Sequence, residues 1–558
     1  MQSALPQREN LEDTKQIQWN ESHSQVKGEA LYTFGLIGML VCSLIVGLIL
    51  AYEGCRYSYY PVPDYSTKDI IMQDSFWVHI AFAILISVAA WGLDRIFSIR
   101  LTFRTQEKIC RIVLAVTAVL MFVFGTIYVS VNPYYPEGDQ LNATAGAAYF
   151  LNDQYSMLTP GGYVGLYEQQ KGFIFLYEIL YALFEPFCYD VAKQFHVFFA
   201  VLTLVSGYGF IKNQFPKAFY RIIYCALMLF CMPLMLFLPY IYGDVPSICF
   251  SMICLWALSA YAKKMQARYI PIAALAAALA LLCRMNTWIV LIAVGIGMVM
   301  LAIEKWNYKP LIVGFCVILV AAGAVKSVDA MYEYRSGYES GIGIPSILWI
   351  AMGLQETDGE AGVYNRYQQT VFEENGFNRE VSAQIGKDYI AQRVQEFAND
   401  LPMTKAFFQD KIASQWSAPL FESLKATHAF DEEKPVAEWI ANLYYGKLHD
   451  IIWRATNYYQ SVVYIAMLFA VIGNLISVKK RKGNSVGWIP QIAIIGGFLF
   501  SLIWENQSRY CLPYYLLMLL YVPEGLMQIG SMIGGIYRKL PNGKHSDETD
   551  KQQLKKVS

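Results

Sequence analysis

The sequence predicts an all-α polytopic membrane protein with about twelve transmembrane helices. Of its 558 residues, 56% are hydrophobic and only 16% are charged, which is far from the balance of soluble globular proteins. Apolar segments of about 16 to 23 residues recur along the chain, and each can cross a hydrocarbon core as a helix. Lysine and arginine are concentrated in every second connecting loop.

The predicted spans lie between two polar tails. The N-terminal tail, residues 1–30, lacks an apolar core, so we expect it to be flexible and cytoplasmic. The C-terminal tail, residues 533–558, is also expected to be cytoplasmic. The spans are predicted near residues 31–51, 76–94, 110–131, 190–211, 220–240, 246–262, 268–284, 286–304, 309–327, 457–477, 487–504 and 510–532.

The basic residues predict the orientation, because cationic loops resist translocation. Lysine and arginine follow the second, fourth, sixth, eighth and tenth spans, and the tenth is followed by Lys-Lys-Arg-Lys at 479–482. The intervening short loops, such as 241–245, are nearly free of them. Both termini are therefore predicted to lie inside. The large outer regions are predicted to be 52–75, 132–189 and 328–456.

The segment 172–187 tests this count, because it is apolar enough to be taken for a further span. It carries Glu178 and Glu185 together with six aromatic residues. If it crossed the membrane, the basic run 479–482 would face outward. We therefore predict an interfacial helix that lies on the outer leaflet or dips into it.

The outer region 328–456 is predicted to form a small, mainly helical domain. Amphipathic patterns at 380–399 and 402–425 indicate two of its helices, and the polar stretches around 356–360 and 431–433 indicate turns. The chain then divides into the tail 1–30, two extra N-terminal spans in 31–109, a transmembrane core in 110–327 that contains the outer loop 132–189, the outer domain 328–456, the C-terminal spans 457–532, and the tail 533–558.

An acidic pair opens the outer loop 132–189. Glu137 and Asp139 lie in Glu137-Gly138-Asp139-Gln140, shortly after an apolar run that ends near Val131. They must therefore lie within a turn or two of the bilayer surface, where a carboxylate can meet a lipid-borne substrate. The alternative is that the pair only ends one helix and caps the next.

Two arginines and one aspartate are expected near the outer ends of apolar helices. Arg284 and Arg509 suit a phosphate, because a guanidinium stays charged near lipid and donates paired hydrogen bonds. Each could instead be an interfacial anchor. Asp244 lies in a short outer turn beside Gly243 and Pro246, and it either completes an acidic cluster or is an ordinary turn residue.

Taken together, these features resemble the GT-C superfamily of integral membrane glycosyltransferases. The most similar branch is that of protein O-mannosyltransferases and lipid A aminoarabinose transferases, in its bacterial form. Glu137-Gly138-Asp139-Gln140 is similar in position to the acidic first-loop signature of that family. Glu505-Asn506-Gln507-Ser508-Arg509-Tyr510, followed by Pro513, resembles its late Arg-Tyr-x-x-Pro segment. The resemblance covers roughly residues 110–530.

The resemblance implies an inverting enzyme of a bacterial cytoplasmic membrane, which moves a sugar from a polyprenyl-phosphate donor to an extracytoplasmic glycan, lipid or protein. Asp139 would be the general base. Glu137 would orient the acceptor or, with Asp139, hold a divalent cation such as Mg²⁺ or Mn²⁺. The further substrate-binding candidates are Arg509, Arg284, Asp244, Tyr510 and Gln140.

Two other functions remain open from the sequence. A secondary transporter also has about twelve spans, but it would predict two related halves and broken helices at midplane. Here the halves differ, because only the second contains a large outer domain. A lipid-linked polymer ligase or polymerase also acts at the outer surface, but it usually relies on an arginine-rich outer loop. The net charge of zero gives no indication of nucleic-acid binding.

Overall fold

The computed structural model describes residues 5–63, 69–431, 433–478 and 485–539. Within these ranges nearly all secondary structure is helical, and four short strands form two antiparallel pairs. The basic run 479–482 and most of the C-terminal tail lie outside the described residues. The orientation of the chain therefore stays a prediction.

The N-terminal part consists of three long helices and one short hairpin. Its elements are α1 (Leu5–Arg56), β1 (Tyr57–Tyr60), β2 (Ile70–Gln73), α2 (Phe76–Arg100) and α3 (Phe103–Val131). The expected flexible tail is wrong for residues 5–30, because α1 is continuous from Leu5 and its apolar part starts at Gly28. Glutamate, glutamine and lysine favour helix, so the polar segment extends the first span.

The first outer loop contains three helices. They are α4 (Gly138–Leu151), α5 (Tyr163–Leu166) and α6 (Lys171–Leu183). The last of these is the ambiguous segment at 172–187. Its 13 residues extend about 20 Å, which is less than the thickness of a hydrocarbon core. Its buried face packs against α4, and Glu178 forms an ion pair of 2.5 Å with Arg335. The segment is helical, and its position at the outer leaflet stays a prediction.

The central part holds most of the membrane helices. They are α7 (Tyr189–Gln214), α8 (Phe219–Leu229), α9 (Met232–Leu236), α10 (Asp244–Lys264), α11 (Tyr269–Cys283), α12 (Trp288–Lys305) and α13 (Lys309–Ser336). The predicted span 220–240 is divided into α8 and α9, with Pro233 in the first turn of the second piece. α10 packs against α7 and α11, and α11 packs against α13.

The outer domain is mainly helical, as predicted, but its bounds differ. Its elements are α14 (Ser346–Gly353), β3 (Glu356–Thr357), β4 (Glu360–Ala361), α15 (Tyr367–Glu374), α16 (Arg379–Asn399), α17 (Leu401–Trp416) and α18 (Glu438–Tyr445). α13 continues to Ser336, so the domain starts nearer 337 than 328. Asn378 caps α16, its side chain accepting hydrogen bonds from the backbone N–H groups of Glu380 and Val381 at 3.1 Å.

The C-terminal part completes the bundle with α19 (Lys447–Ile476), α20 (Ile489–Ile503), α21 (Leu512–Met518) and α22 (Val522–Lys539). Nine helices of the described chain are long and apolar enough to cross a membrane, or ten if the bent pair α21 and α22 counts as one span. The two other predicted spans correspond to shorter apolar helices, α8 and α11. The all-α polytopic fold is therefore confirmed, with every predicted span represented by a helix.

The two extra N-terminal spans pack within the bundle and not at its edge alone. α1 lies against α19 and α12, and α2 lies against α22 and α19. The first two helices of the chain therefore pack against helices of its C-terminal part. The hairpin between α1 and α2 is held to the outer domain, because the N–H of Tyr59 donates to the carbonyl of Ser417 at 2.7 Å.

Candidate active site

Two cavities meet at the N-terminus of α4. Both are lined by Asp139 and Arg509, together with Tyr364 and Gln507. We call the first the aromatic cavity, which has a volume of about 650 Å³ and is also lined by Trp288, Trp349, Phe500 and Trp504. We call the second the acidic cavity, which has a volume of about 720 Å³ and is also lined by Asp69, Glu137, Glu360 and Glu422.

Asp139 lies in the first turn of α4, at the junction of the cavities. The helix begins at Gly138, whose φ of +53° is the left-handed conformation that glycine adopts without strain. The side chain of Glu137 makes no capping hydrogen bond, so the capping alternative does not describe it. The hydroxyl of Tyr163 donates to Oδ1 of Asp139 at 3.1 Å. Asp139 therefore has one fixed contact and one face open to the cavities.

A buried lysine holds the start of the outer loop 132–189. Nζ of Lys193, on α7, donates to the backbone carbonyls of Asn132 at 3.3 Å and Tyr134 at 2.8 Å. Tyr134 in turn forms an isolated β-bridge with Phe430 of the outer domain. These contacts fix where the chain leaves α3 and thereby position the acidic pair.

Arg509 is buried in a short turn at Ser508–Tyr510, with 9% of the residue exposed. Its guanidinium donates to the side chain of Gln507 and to the hydroxyl of Tyr240. It also lies 5.1 Å from the ring centroid of Tyr510 and 5.8 Å from that of Tyr242. Among the residues that the structure describes, no carboxylate lies within ion-pair distance of it.

Arg284 lies beside Arg509 and contacts the same two rings. Its guanidinium is 4.8 Å from the ring centroid of Tyr242 and 5.4 Å from that of Tyr510. Asp244 forms its ion pair, at 3.6 Å. The two guanidiniums thus contact the same two rings, and they line the aromatic cavity together with Asp139.

Asp244 lines neither of these two cavities, although the sequence suggested it for an acidic cluster with Asp139. It is 3% exposed, and its carboxylate contacts the guanidinium of Arg284. A side chain at Gly243 would meet the backbone carbonyl of Cys283 at 2.0 Å, so α10 and α11 approach closely here. The structure places Asp244 as a partner that holds Arg284, and not as a residue that faces Asp139.

Glu505 lines the aromatic cavity. It belongs to the late segment that ends in Arg509 and Tyr510, but the sequence predicted no role for it. It is 4% exposed, and it accepts hydrogen bonds from Gln507 at 2.7 Å and from the hydroxyl of Tyr510 at 3.1 Å. Burial raises its pKa to about 7, while the nearby positive charge of Arg509 opposes the shift. Lys411 is close enough to feel the charge of Glu505, and burial lowers its pKa to about 7.

Part of the lining of the aromatic cavity is apolar. The ring of Trp349, on α14, stacks on that of Trp504 with centroids 6.0 Å apart and an interplanar angle of 11°. The ring of Phe500 also stacks on that of Trp504, with centroids 5.0 Å apart. Trp288 and Ile289, on α12, line the same cavity. The lining is therefore amphiphilic, because it combines two guanidiniums with an aromatic wall.

The acidic cavity has a different lining, which comes from four distant parts of the chain. Asp69 precedes β2, Glu360 lies in β4, and Glu422 follows α17. Glu422 has a φ of +62°, and Oε1 accepts the backbone N–H of Ser508 at 2.9 Å, so it also supports the turn that carries Arg509. No local pattern in the sequence indicates that these carboxylates meet.

A divalent cation held by Glu137 and Asp139 is not supported by the residues around them. In the described part of the chain, no group of three or more histidine, cysteine, aspartate or glutamate side chains is placed to hold a metal. An ion between these two carboxylates would lack a third protein ligand of that kind.

No protein-family model and no curated protein matches the chain. Among solved structures, the chain is similar to the archaeal oligosaccharyltransferase AglB from Archaeoglobus fulgidus, in complex with an inhibitory peptide and a dolichol-phosphate. The identity is 13%, the TM-score is 0.37, and the match covers 80% of this chain. The chain spans about half the length of that structure, of which 52% is covered. A likeness this distant does not assign a family.

Proposed function

We propose that the protein is a membrane glycosyltransferase that takes a sugar from a polyprenyl-phosphate donor and transfers it to a hydroxyl group of an extracytoplasmic acceptor. The observation that carries the proposal is the buried Arg509, which has no carboxylate partner among the described residues. A buried cation without a counter-ion is costly, and an anionic ligand removes that cost. Arg284 beside it supplies a second guanidinium, which forms an ion pair with Asp244.

The lining of the aromatic cavity matches the chemical groups of such a donor. The phosphate would lie between Arg284 and Arg509, which donate parallel hydrogen bonds to its oxygens. The first isoprene units would lie along Trp349 and Trp504, away from the charges. A soluble nucleotide sugar would use the cations but would leave this wall unfilled.

Asp139 lines both cavities, so it is suited to act as the general base between a donor in one and an acceptor in the other. The acceptor hydroxyl would attack the anomeric carbon from the face opposite the phosphate. The bond from that carbon to the phosphate oxygen breaks, the bond to the acceptor oxygen forms, and the hydroxyl proton passes to Asp139. In-line attack inverts the anomeric centre.

The other proposed roles follow from the same arrangement. Gln140 and Glu137 line the acidic cavity and would orient the acceptor. Tyr510 frames both guanidiniums, and Asp244 keeps Arg284 in place. The proposed location is a bacterial cytoplasmic membrane, with the site on the extracytoplasmic face and both termini inside.

The test uses the full chain in proteoliposomes with a polyprenyl-phosphate donor whose sugar is radiolabelled. We expect label to leave the lipid, into water or onto an added acceptor, in a reaction that the chain requires. A panel of donor sugars is needed, because the sugar is not specified by the site. Label that stays on the lipid with every donor, or accumulation of free sugar inside the vesicles without cleavage of the donor, would contradict the proposal and favour a carrier.

A further inference from the structure

A third cavity lies between helix α6 and the helices α7, α10 and α11. We call it the lateral cavity, and it has a volume of about 220 Å³. Among the described residues that form its wall there is no lysine, arginine, aspartate or glutamate. The wall is apolar and largely aromatic, with contributions from Phe173, Phe184, Phe195, Phe199 and Phe250. A cavity with such a wall stays free of water and binds apolar molecules.

The wall of the lateral cavity continues into the exposed apolar surface of the bundle. Leu183 is 73% exposed, Phe184 is 46% exposed and Phe195 is 40% exposed, and all three line the cavity. The rings of Phe184 and Phe195 are in contact, with centroids 6.3 Å apart. Exposed apolar side chains that adjoin one another mark a surface that contacts the membrane. A lipid chain can therefore enter the cavity directly from the bilayer.

Two polar side chains interrupt this apolar wall. His196 is 2% exposed and Tyr177 is 7% exposed. Nδ1 of His196 donates to the backbone carbonyl of Leu238 at 3.1 Å, so Nε2 of the neutral ring is left as an acceptor. Nε2 and the hydroxyl of Tyr177 make no hydrogen bond with any described residue. The hydroxyl of Tyr181, one turn along α6, is sealed inside the protein, whereas these two atoms are not. They are therefore open to the cavity that their residues line.

These two groups define the chemistry of the missing ligand. A buried acceptor and a buried hydroxyl that stay unpaired destabilise a protein. An O–H group of a ligand satisfies both, because it donates to Nε2 of His196 and its oxygen accepts from Tyr177. An ion does not suit the site, because the described wall offers no counter-ion.

The depth of His196 separates this O–H group from a charged headgroup. His196 lies seven residues after Tyr189, the first residue of α7, which is roughly 10 Å along the helix axis. The side chain of Asp190, in the first turn, is 76% exposed and marks the level of the surface. A hydroxyl group at the level of His196 is therefore the end of a lipid chain and not part of a phospholipid headgroup.

We infer that the lateral cavity binds a long-chain alcohol of the membrane, with its chain against the phenylalanine rings and its hydroxyl group bonded to His196 and Tyr177. The inference does not use the proposed function. The lateral cavity adjoins the aromatic cavity, because Cys283 lines both and the ring of Phe173 contacts that of Tyr242, with centroids 5.3 Å apart. The tail of the lipid donor is therefore the competing occupant, and the test separates the two.

The test uses the full chain in proteoliposomes and dodecan-1-ol that carries a diazirine on its chain. Irradiation should give adducts on the wall of the lateral cavity, at residues such as Phe195 and Phe250, and unlabelled dodecan-1-ol should suppress them. Its methyl ether keeps the chain and the oxygen but cannot donate. At equal mole fraction in the bilayer the ether should compete roughly fivefold less well, which is the scale of one neutral hydrogen bond. Dodecyl phosphate and polyprenyl phosphate, which carry charge, should compete less well than the ether.

Two variants test the contacts of the hydroxyl group. His196→Phe keeps a ring and removes the acceptor, so the alcohol and the ether should compete equally well. Tyr177→Phe should weaken both to a similar extent, because the oxygen of each accepts. The matched control is Tyr181→Phe, which removes a hydroxyl that is sealed from the cavity and should leave the competition unchanged. Thermal unfolding of each variant distinguishes loss of the cavity from loss of the fold, and the comparison of alcohol with ether in the wild-type chain needs no variant.

Equal competition by alcohol and ether in the wild-type chain, or no competed adducts in the lateral cavity, would overturn the inference. A preference for the alcohol that survives in His196→Phe would overturn it as well. Stronger competition by polyprenyl phosphate than by the alcohol would assign the cavity to the tail of the lipid donor. None of these results bears on release of sugar from the donor, which tests the proposed function separately.

Discussion

The two cavities share Asp139 and Arg509 and differ in nearly everything else. The aromatic cavity pairs two guanidiniums with a wall of tryptophans, whereas the described lining of the acidic cavity includes five carboxylates and no tryptophan. An amphiphilic anion suits the first, and a polar ligand without a long apolar chain suits the second. On the proposed function, the difference teaches how one carboxylate could serve two substrates, because each cavity disfavours the ligand of the other.

The largest expected effect is at the shared residue. Asp139→Asn keeps the size of the side chain and its contact with Tyr163 but removes the base, so transfer should fall by about 10²- to 10⁴-fold. Affinity for the donor should be unchanged. Transfer from a labelled lipid donor and donor binding are measured on the same sample. Asp153→Asn, on the same loop with an exposed side chain, is the control. Near-normal transfer by the Asp139 variant would remove Asp139 from the role of base.

The second effect tests the proposed partner of the phosphate, which lines both cavities. Arg509→Ala should weaken donor binding by on the order of 10²-fold, because we propose its buried guanidinium as the main partner of the lipid phosphate. Binding of a neutral disaccharide in the acidic cavity should change less. Both affinities are measured by titration, with Lys405→Ala on the exposed face of α17 as the charge control. If donor affinity is unchanged, the phosphate is bound elsewhere.

A third prediction concerns pH. Burial raises the pKa of Glu505 and lowers that of Lys411, each to about 7. As the pH rises through this value, Glu505 becomes negative and Lys411 becomes neutral, so both changes disfavour an anionic ligand. The donor is a phosphodiester whose own charge is constant in this range. Donor affinity should therefore fall several-fold between about pH 6 and pH 8.

Glu505→Gln should flatten this dependence, because it removes one of the two titrating groups and keeps a side chain that can contact Gln507 and Tyr510. Donor affinity is measured by titration across the pH range for both proteins. A wild-type affinity that is constant or rises with pH would show that neither group faces the phosphate. Equal slopes in both proteins would assign the dependence to Lys411.

The smallest effect concerns the aromatic wall. Trp349→Ala removes one of the two stacked indoles and should weaken binding of long-chain polyprenyl phosphates by several-fold. Binding of a phosphate with a chain of one isoprene unit should change less. The measurement is a titration of both lipids against both proteins. Equal losses for the two chain lengths would place the lipid outside this wall.

The membrane spans could be predicted from the sequence, because each is a long apolar run. Prediction failed where tertiary contacts decide the end of a helix: α1 continues into the polar tail from Leu5, and α17 ends at Trp416 although its amphipathic pattern runs to 425. The residues after Trp416 include Phe421 and Glu422, both with positive φ, a conformation that no propensity predicts for them. That turn is where Glu422 enters the acidic cavity.

The site could be predicted only in part. Asp139 and Arg509 carry local signals, an acidic pair directly after a span and an arginine in an apolar stretch, and the structure brings them together. Asp69, Glu360 and Glu422 carry no such signal, because three separate loops fold over the same cavity. Their meeting depends on the packing of the hairpin β1–β2 and the outer domain, which one sequence does not encode as a pattern.

The most direct test is photo-crosslinking with a polyprenyl phosphate that carries a diazirine in its first isoprene units. The lipid is bound to the full chain in proteoliposomes, irradiated with and without excess unlabelled lipid, and the adducts are mapped by mass spectrometry. We predict competed adducts on the aromatic cavity, at residues such as Trp288, Trp349 and Phe500. Competed adducts at Tyr59 or Glu360, or none in either cavity, would contradict the division of donor and acceptor between the two cavities.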